Sequence, residues 1–199
     1  MEPIIYVLLI LTSIVGLTFI IERGLALRWA RVLPPSIEAA VKSCANPDQI
    51  AMLRQVCDRN PSALGRILST ASEHLDWPKA ENIDAIQTQA RHEIVKLERG
   101  LVVLEVIVGI APLLGLVGTI VGMMTLFTGL GETGLTNTEA LAKGIGTILN
   151  ATLMGLLIAI PCLIFWSYYT RKVETMAVEM ETLCDQFIRR QYRGNNRGN

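Results

Sequence analysis

Three long stretches of this 199-residue sequence lack any charged side chain: Pro3–Ile21, Val106–Leu130 and Gly144–Thr170. Each reaches the roughly 18–20 residues that a membrane-crossing helix needs. A three-span membrane protein is therefore expected in place of the one or two soluble domains that length alone suggests. Histidine is scarce: His74 and His92 stand singly, with no partner at ligand spacing. The four cysteines, Cys44, Cys57, Cys162 and Cys184, form no CxxC pair, which reads as free, packed thiols with no metal site. None of the three runs contains aspartate, so the constellation that catalysis inside a membrane requires is missing and no enzyme is expected. The formal net charge is zero. With neither a phosphate loop nor a basic surface interleaved with aromatics, nucleic acid is excluded as a partner.

What charge there is has a direction. Arg23, Arg28 and Arg31 follow the first run, Arg91, Lys96 and Arg99 precede the second, and Arg171 and Lys172 follow the third. Lys143 alone lies on the other side, so 17 of the 18 basic residues share one compartment. The positive-inside rule makes that compartment the cytoplasm and puts the N-terminus outside. The first run has no basic residue before it and no small-residue cleavage site after it, so it is expected to be retained as a span.

The expected organisation is all-α. A first span covers residues 1–21, and a cytoplasmic helical region and stalk cover 22–105. The second span covers 106–130, an outer loop 131–143, the third span 144–170, and a cytoplasmic tail 171–199. Pro34-Pro35, Asn46-Pro47 and Asn60-Pro61 punctuate the region from 34 to 77 into short amphipathic helices, with the asparagines as N-caps. From Pro78 onward Ile83, Ile86, Ala90, Ile94, Leu97, Leu101 and Leu104 recur at helical spacing. That pattern predicts one long helix from 79 to 130, about 78 Å at ~1.5 Å per residue, extending span two into the cytoplasm with a kink at Pro112. In the tail Val173, Met176, Met180, Leu183 and Phe187 form a packing seam, and the last eight residues, YRGNNRGN, are expected to be disordered.

The stretch Gly109–Gly129, GIAPLLGLVGTIVGMMTLFTG, holds more than an anchor requires. Gly115, Gly118 and Gly122, with Gly155 on the third span, are candidates for close helix packing, since spans associate in lipid where small residues let backbones approach. Thr119 and Thr152 are hydroxyls placed in the middle of glycine-rich spans that run antiparallel. They either bond back to a carbonyl one turn earlier or line a shared polar path. Glu105, at the inner edge of span two, is a structural interfacial carboxylate or part of an ion pathway.

The segments LERGLVVLEVIVGIAPLLGLVGTIVGMMTLF and GIGTILNATLMGLLIAIPCLIFW, with FIIERGLALRW after the first span, resemble the MotA/TolQ/ExbB family of ion-channel subunits. The three spans are closer to its ExbB/TolQ branch. The resemblance implies a bacterial inner-membrane protein, periplasmic at its N-terminus and cytoplasmic at its C-terminus. It also implies a homo-pentamer around a dimer of single-span ExbD/TolR-like partners that carry the ionisable aspartate. Proton or sodium flow would drive mechanical work, with no cofactor beyond the transported ion, and would power outer-membrane transport or envelope processes. The family's path-lining threonines fall on Thr119 and Thr152. One departure stands out: Thr147 occupies the slot where the family usually carries a glutamate. Thr147 and Asn150 therefore join the ion-pathway candidates, Asn150 as compensating polarity. The rival of another class is a non-conducting scaffold that uses the same glycines to hold a single-span partner in the bilayer.

Overall fold

The computed structural model describes residues 2–44, 49–133 and 138–195, and these are helical without a strand. The helices are α1 (Glu2–Ala26), α2 (Trp29–Val32), α3 (Pro35–Ser43), α4 (Ile50–Arg59), α5 (Ala63–Glu73), α6 (Lys79–Glu98), α7 (Leu101–Thr133) and α8 (Thr138–Asn195). Segments of α1, α7 and α8 are long and apolar enough to cross a membrane. The chain divides into two units, Met1–Arg23 with Gly100–Tyr168, and Gly24–Arg99 with Tyr169–Asn199.

The first unit is a three-helix packing in which the contact residues are small. Arg23 lies against Gly100, Gly16 against Ile107, and Ile5 against Gly118, which sets α1 and α7 in one antiparallel register. Against α8, Gly16 faces the Cys162 sulfur. The outward side of α1, including Ile4, Val7, Ile10, Leu11, Ile14 and Leu17, is exposed and aliphatic, the surface that lipid accepts.

The second unit has its own core. Val32, Ile37, Val41, Leu53, Leu64, Ile67, Leu68 and Ala71 from α2–α5 pack with Met176, Met180, Leu183 and Phe187 of α8. The tail seam read from its spacing is thus a core element: Met176 and Phe187 have no exposed surface. Ser62 caps α5 by accepting from the Gly65 N–H at 3.1 Å. The N-cap expected at Asn60 is therefore corrected to Ser62. Asn60 instead closes α4 and donates its amide to the Val56 carbonyl at 2.9 Å, because a residue before proline is pushed out of the helical region. Asn46 lies outside the described residues.

Glu93 on α6 is 1% exposed and gathers three donors: Arg66 Nη2 at 2.5 Å, Lys96 Nζ at 3.0 Å and Gln89 Nε2 at 3.3 Å. Burial alone would raise its pKa. The hydrogen bonds and charges of Arg66 and Lys96 outweigh that, and the net shift is downward.

Three further expectations change. The single helix predicted over 79–130 is divided: α6 ends at Glu98 and α7 begins at Leu101, with a turn at Arg99–Gly100. Arg99 itself keeps helical angles, φ −48° and ψ −35°. The Arg23 guanidinium occupies the place a Gly100 side chain would need. The long continuous helix is instead α8, whose 58 residues run through Pro161, while α7 runs through Pro112. The tail stays helical to Asn195, where disorder was expected from Tyr192, and the Tyr192 hydroxyl donates to the Trp77 carbonyl at 2.8 Å. The loop expected over 131–143 also shortens, since α7 reaches Thr133 and α8 starts at Thr138; the expectations for 134–137 and 196–199 lie outside the described residues.

Candidate functional site

The glycines of α7 meet the small residues of α8 along one seam. A Cβ on Gly115 would approach the Ala151 carbonyl at 2.9 Å and Thr152 Cα at 3.0 Å. One on Gly118 would lie 2.7 Å from Ala151 Cβ, and one on Gly122 would lie 2.7 Å from Ile148. From the other helix, a Cβ on Gly155 would come within 2.6 Å of the Ala111 carbonyl. All four predicted packing glycines therefore occupy this seam, and backbone meets backbone at Gly115 and Gly155. Gly109, Gly129 and Gly146 face open space.

The seam fixes where the hydroxyls stand. Thr152 donates to the Gly115 carbonyl across the seam at 3.4 Å, a long bond, so it links two helices and does not bond back within its own. Thr119 does bond back, donating to Leu116 O at 2.7 Å. At roughly 100° per residue, Thr119 lies about 70° to one side of the α7 contact line. Thr152 lies about 60° to the same-handed side of the α8 line. In an antiparallel pair, rotations of the same hand place both residues on one flank. Thr119 is one turn from Gly115, the residue that opposes Thr152, so their depths are close.

The other flank belongs to α1. Thr147 lies there, exposed, with its carbonyl accepting from the Tyr6 hydroxyl at 3.3 Å. Tyr6, Thr125 and Thr147, with Gly118 and Gly122, line a cavity of about 210 Å³ between the helices. Asn150 is exposed on the back of α8, away from α7. The four residues named for an ion pathway thus separate: Thr119 and Thr152 share a flank, while Thr147 and Asn150 face elsewhere. Glu105 is exposed on α7, and no basic side chain pairs with it among the described residues. It stands two heptads before Thr119, which puts it on the Thr119 stripe. Tyr6 was missed from the sequence. Its signal was the single tyrosine of the first span.

Beside Thr119 the outward surface of α7 is Ile120, Met123, Met124 and Phe127, exposed by 40–63%. Methionine suits a surface that must adapt to a moving or imperfectly matched neighbour. The flank thus combines uncharged hydroxyls and one free-standing carboxylate, with Met123 at its edge, while Ile120, Met124 and Phe127 turn to the back of α7.

Comparison with known proteins agrees with this architecture. The model of the MotA/TolQ/ExbB proton channel family matches residues 59–182. The biopolymer transport protein ExbB of Aquifex aeolicus is 30% identical over 105 residues, 53% of this chain and 70% of that protein. A putative biopolymer transport protein ExbB-like 1 of Synechocystis is 34% identical over 162 residues, 76% of this chain. A putative ExbB homolog of Methanothermobacter thermautotrophicus is 31% identical over 156 residues, 77% of this chain. The alignments span 61% and 54% of the lengths of those last two relatives. The matched region holds α5, α6, α7 and the membrane segment of α8, including the whole glycine seam, and on this footing the chain belongs to the MotA/TolQ/ExbB proton channel family, on its ExbB branch.

Proposed function

We propose that this chain is the ring-forming subunit of an ion-driven motor in a bacterial inner membrane. Its Thr119–Thr152 flank faces a central, single-span partner of the ExbD/TolR kind. The observation that carries the reading is the sorting of faces. The glycine seam turns two uncharged hydroxyls to the flank that α1 leaves open, while α1 gives its aliphatic side to lipid. A hydroxyl can relay or solvate an ion without the cost that a fixed charge pays inside a bilayer. The energised proton or sodium ion then meets its titratable group on the partner, and ion flow is spent on moving the partner against the ring.

The positive-inside rule supports a periplasmic N-terminus and cytoplasmic second unit. Biopolymer transport, named for the relatives, is the process proposed for the whole machine, with a pentamer as the assembly.

Co-reconstitution of the chain with a single-span partner in proteoliposomes tests this, under a proton gradient and then a sodium gradient. Partner-dependent flux under one gradient is expected and names the ion. A complex that forms and carries neither ion, with wild-type work in cells retained by T119V and T152V, identifies a scaffold instead.

A further inference from the structure

We propose that the turn joining α1 to α2 is a binding site for an anionic phospholipid. Arg28 and Arg31 hold the headgroup phosphate, and Leu25 and Trp29 lie against the glycerol and the upper acyl chains. The site rests on the proposed topology only in placing this lipid in the cytoplasmic leaflet.

The two arginines stand out by their lack of acidic company. Between residues 22 and 43 the chain has two acids, Glu22 and Glu38, and four bases, Arg23, Arg28, Arg31 and Lys42. Glu22 accepts two hydrogen bonds from Arg23, at 2.6 and 2.7 Å, and Glu38 pairs with Lys42 at 2.5 Å. Arg28 and Arg31 are exposed and have no ion-pair partner among the described residues. Two uncompensated guanidinium groups therefore stand three residues apart, and each can offer paired N–H donors to a phosphate.

Depth decides what they meet. Leu25 follows Ile21, the last residue of the charge-free run, by four positions, or about 6 Å along the helix axis. That is headgroup depth, since headgroups add roughly 5–8 Å to each side of the hydrocarbon. The helix stops there. Arg28 is extended, with φ −69° and ψ 131°, so the chain leaves the α1 axis before it has cleared the headgroups. Leu27, Val32 and Leu33 are buried, Val32 and Leu33 in the core of the second unit, and they anchor the turn from one side. Its other side shows Leu25, 50% exposed, and Trp29, 42% exposed, beside the two arginines. An indole suits the headgroup layer, and cations next to a span are drawn to anionic lipid. A soluble protein is the poorer occupant, because lipid already fills that depth.

Fluorescence of Trp29 tests the site in the full chain, reconstituted in phosphatidylcholine vesicles as the W77F/W166F variant. Phosphatidylglycerol and phosphatidylcholine, each brominated on an acyl chain and supplied at equal mole fraction, are compared as quenchers. A basic side chain near an anionic surface is worth roughly fivefold in binding, so brominated phosphatidylglycerol should be preferred about 5–25-fold. Most of that preference should vanish at high salt, and all of it in R28Q/R31Q. R59Q, exposed on α4, should select lipid as the parent does, and glycerol phosphate in the buffer should not relieve the quenching. Equal quenching by the two lipids, quenching by neither, or a preference that survives in R28Q/R31Q would overturn the site. So would its loss in R59Q or relief by glycerol phosphate. The salt dependence needs no arginine substitution, so it decides the matter even where R28Q/R31Q fails to insert. Selection is read without a gradient or a partner: its failure leaves the ion path untouched, and absent flux leaves the lipid site standing.

Discussion

A methyl group at Gly155 would sit 2.6 Å from the Ala111 carbonyl, and one at Gly122 would sit 2.7 Å from the Ile148 side chain. Those near-equal distances predict unequal outcomes, because a side chain can rotate away and a helix backbone cannot. G155A should destabilise the packed spans by about 1–3 kcal/mol, the usual range for overpacking, while G122A should cost less. G109A, facing open space, should be neutral or stabilising by up to ~1 kcal/mol through helix propensity. Thermal unfolding of the three variants in one detergent gives the order, and equal losses at Gly155 and Gly109 would contradict the seam. Glu93 supplies a second residue-scale prediction. Its carboxylate is held below the ordinary value of 4.5, so its contribution is fully present above about that pH and is lost as acid protonates it in the folded state. E93Q should lower stability near neutrality by roughly 1.5–3 kcal/mol, the range for hydrogen bonds to a charged group. It should also flatten the fall in melting temperature below about pH 4.5. An unchanged acid limb would show that other groups govern it.

Among the elements, α8 was the most and the least legible in the sequence. Its C-terminal half alternates buried and charged positions, so Val173, Met176, Met180, Leu183 and Phe187 stood out by spacing, and all five are core residues. M180A and F187A should each cost about 2–5 kcal/mol as cavity-forming substitutions in the second unit; a cost below 1 kcal/mol, on denaturant unfolding followed by helicity, would put that seam outside the core. In the membrane half nearly every side chain other than Asn150 is apolar or small, so periodicity has little contrast. Which face meets α7 and which meets α1 was hidden there, and Thr147 and Asn150 were grouped with Thr152 although they point elsewhere. The same lack of contrast hid the turn at Arg99–Gly100, because Leu101 and Leu104 continue the helical spacing across it. The close approach of Arg23 to Gly100 comes from a residue 77 positions away. The glycines were readable in role, since lipid gives them no other use. Their pairing with Ala151, Ile148 and Ala111 belongs to three dimensions.

For the whole molecule, family membership, three apolar helices and the sorted faces support one proposal: that ions pass along the flank that Thr119 and Thr152 share, and not through the cavity beside α1. On that proposal partner binding and ion flux share the Thr119–Thr152 flank, so a substitution on the α1 side should spare both. The most direct measurement is ion flux through the reconstituted complex with its single-span partner, comparing wild type with T119V, T152V and T147V at matched assembly. The account predicts that either T119V or T152V reduces flux at least tenfold, which corresponds to about 1.4 kcal/mol in the barrier, while T147V conducts as wild type does. Full flux through the T119V and T152V complexes, or its loss in T147V alone, would contradict it.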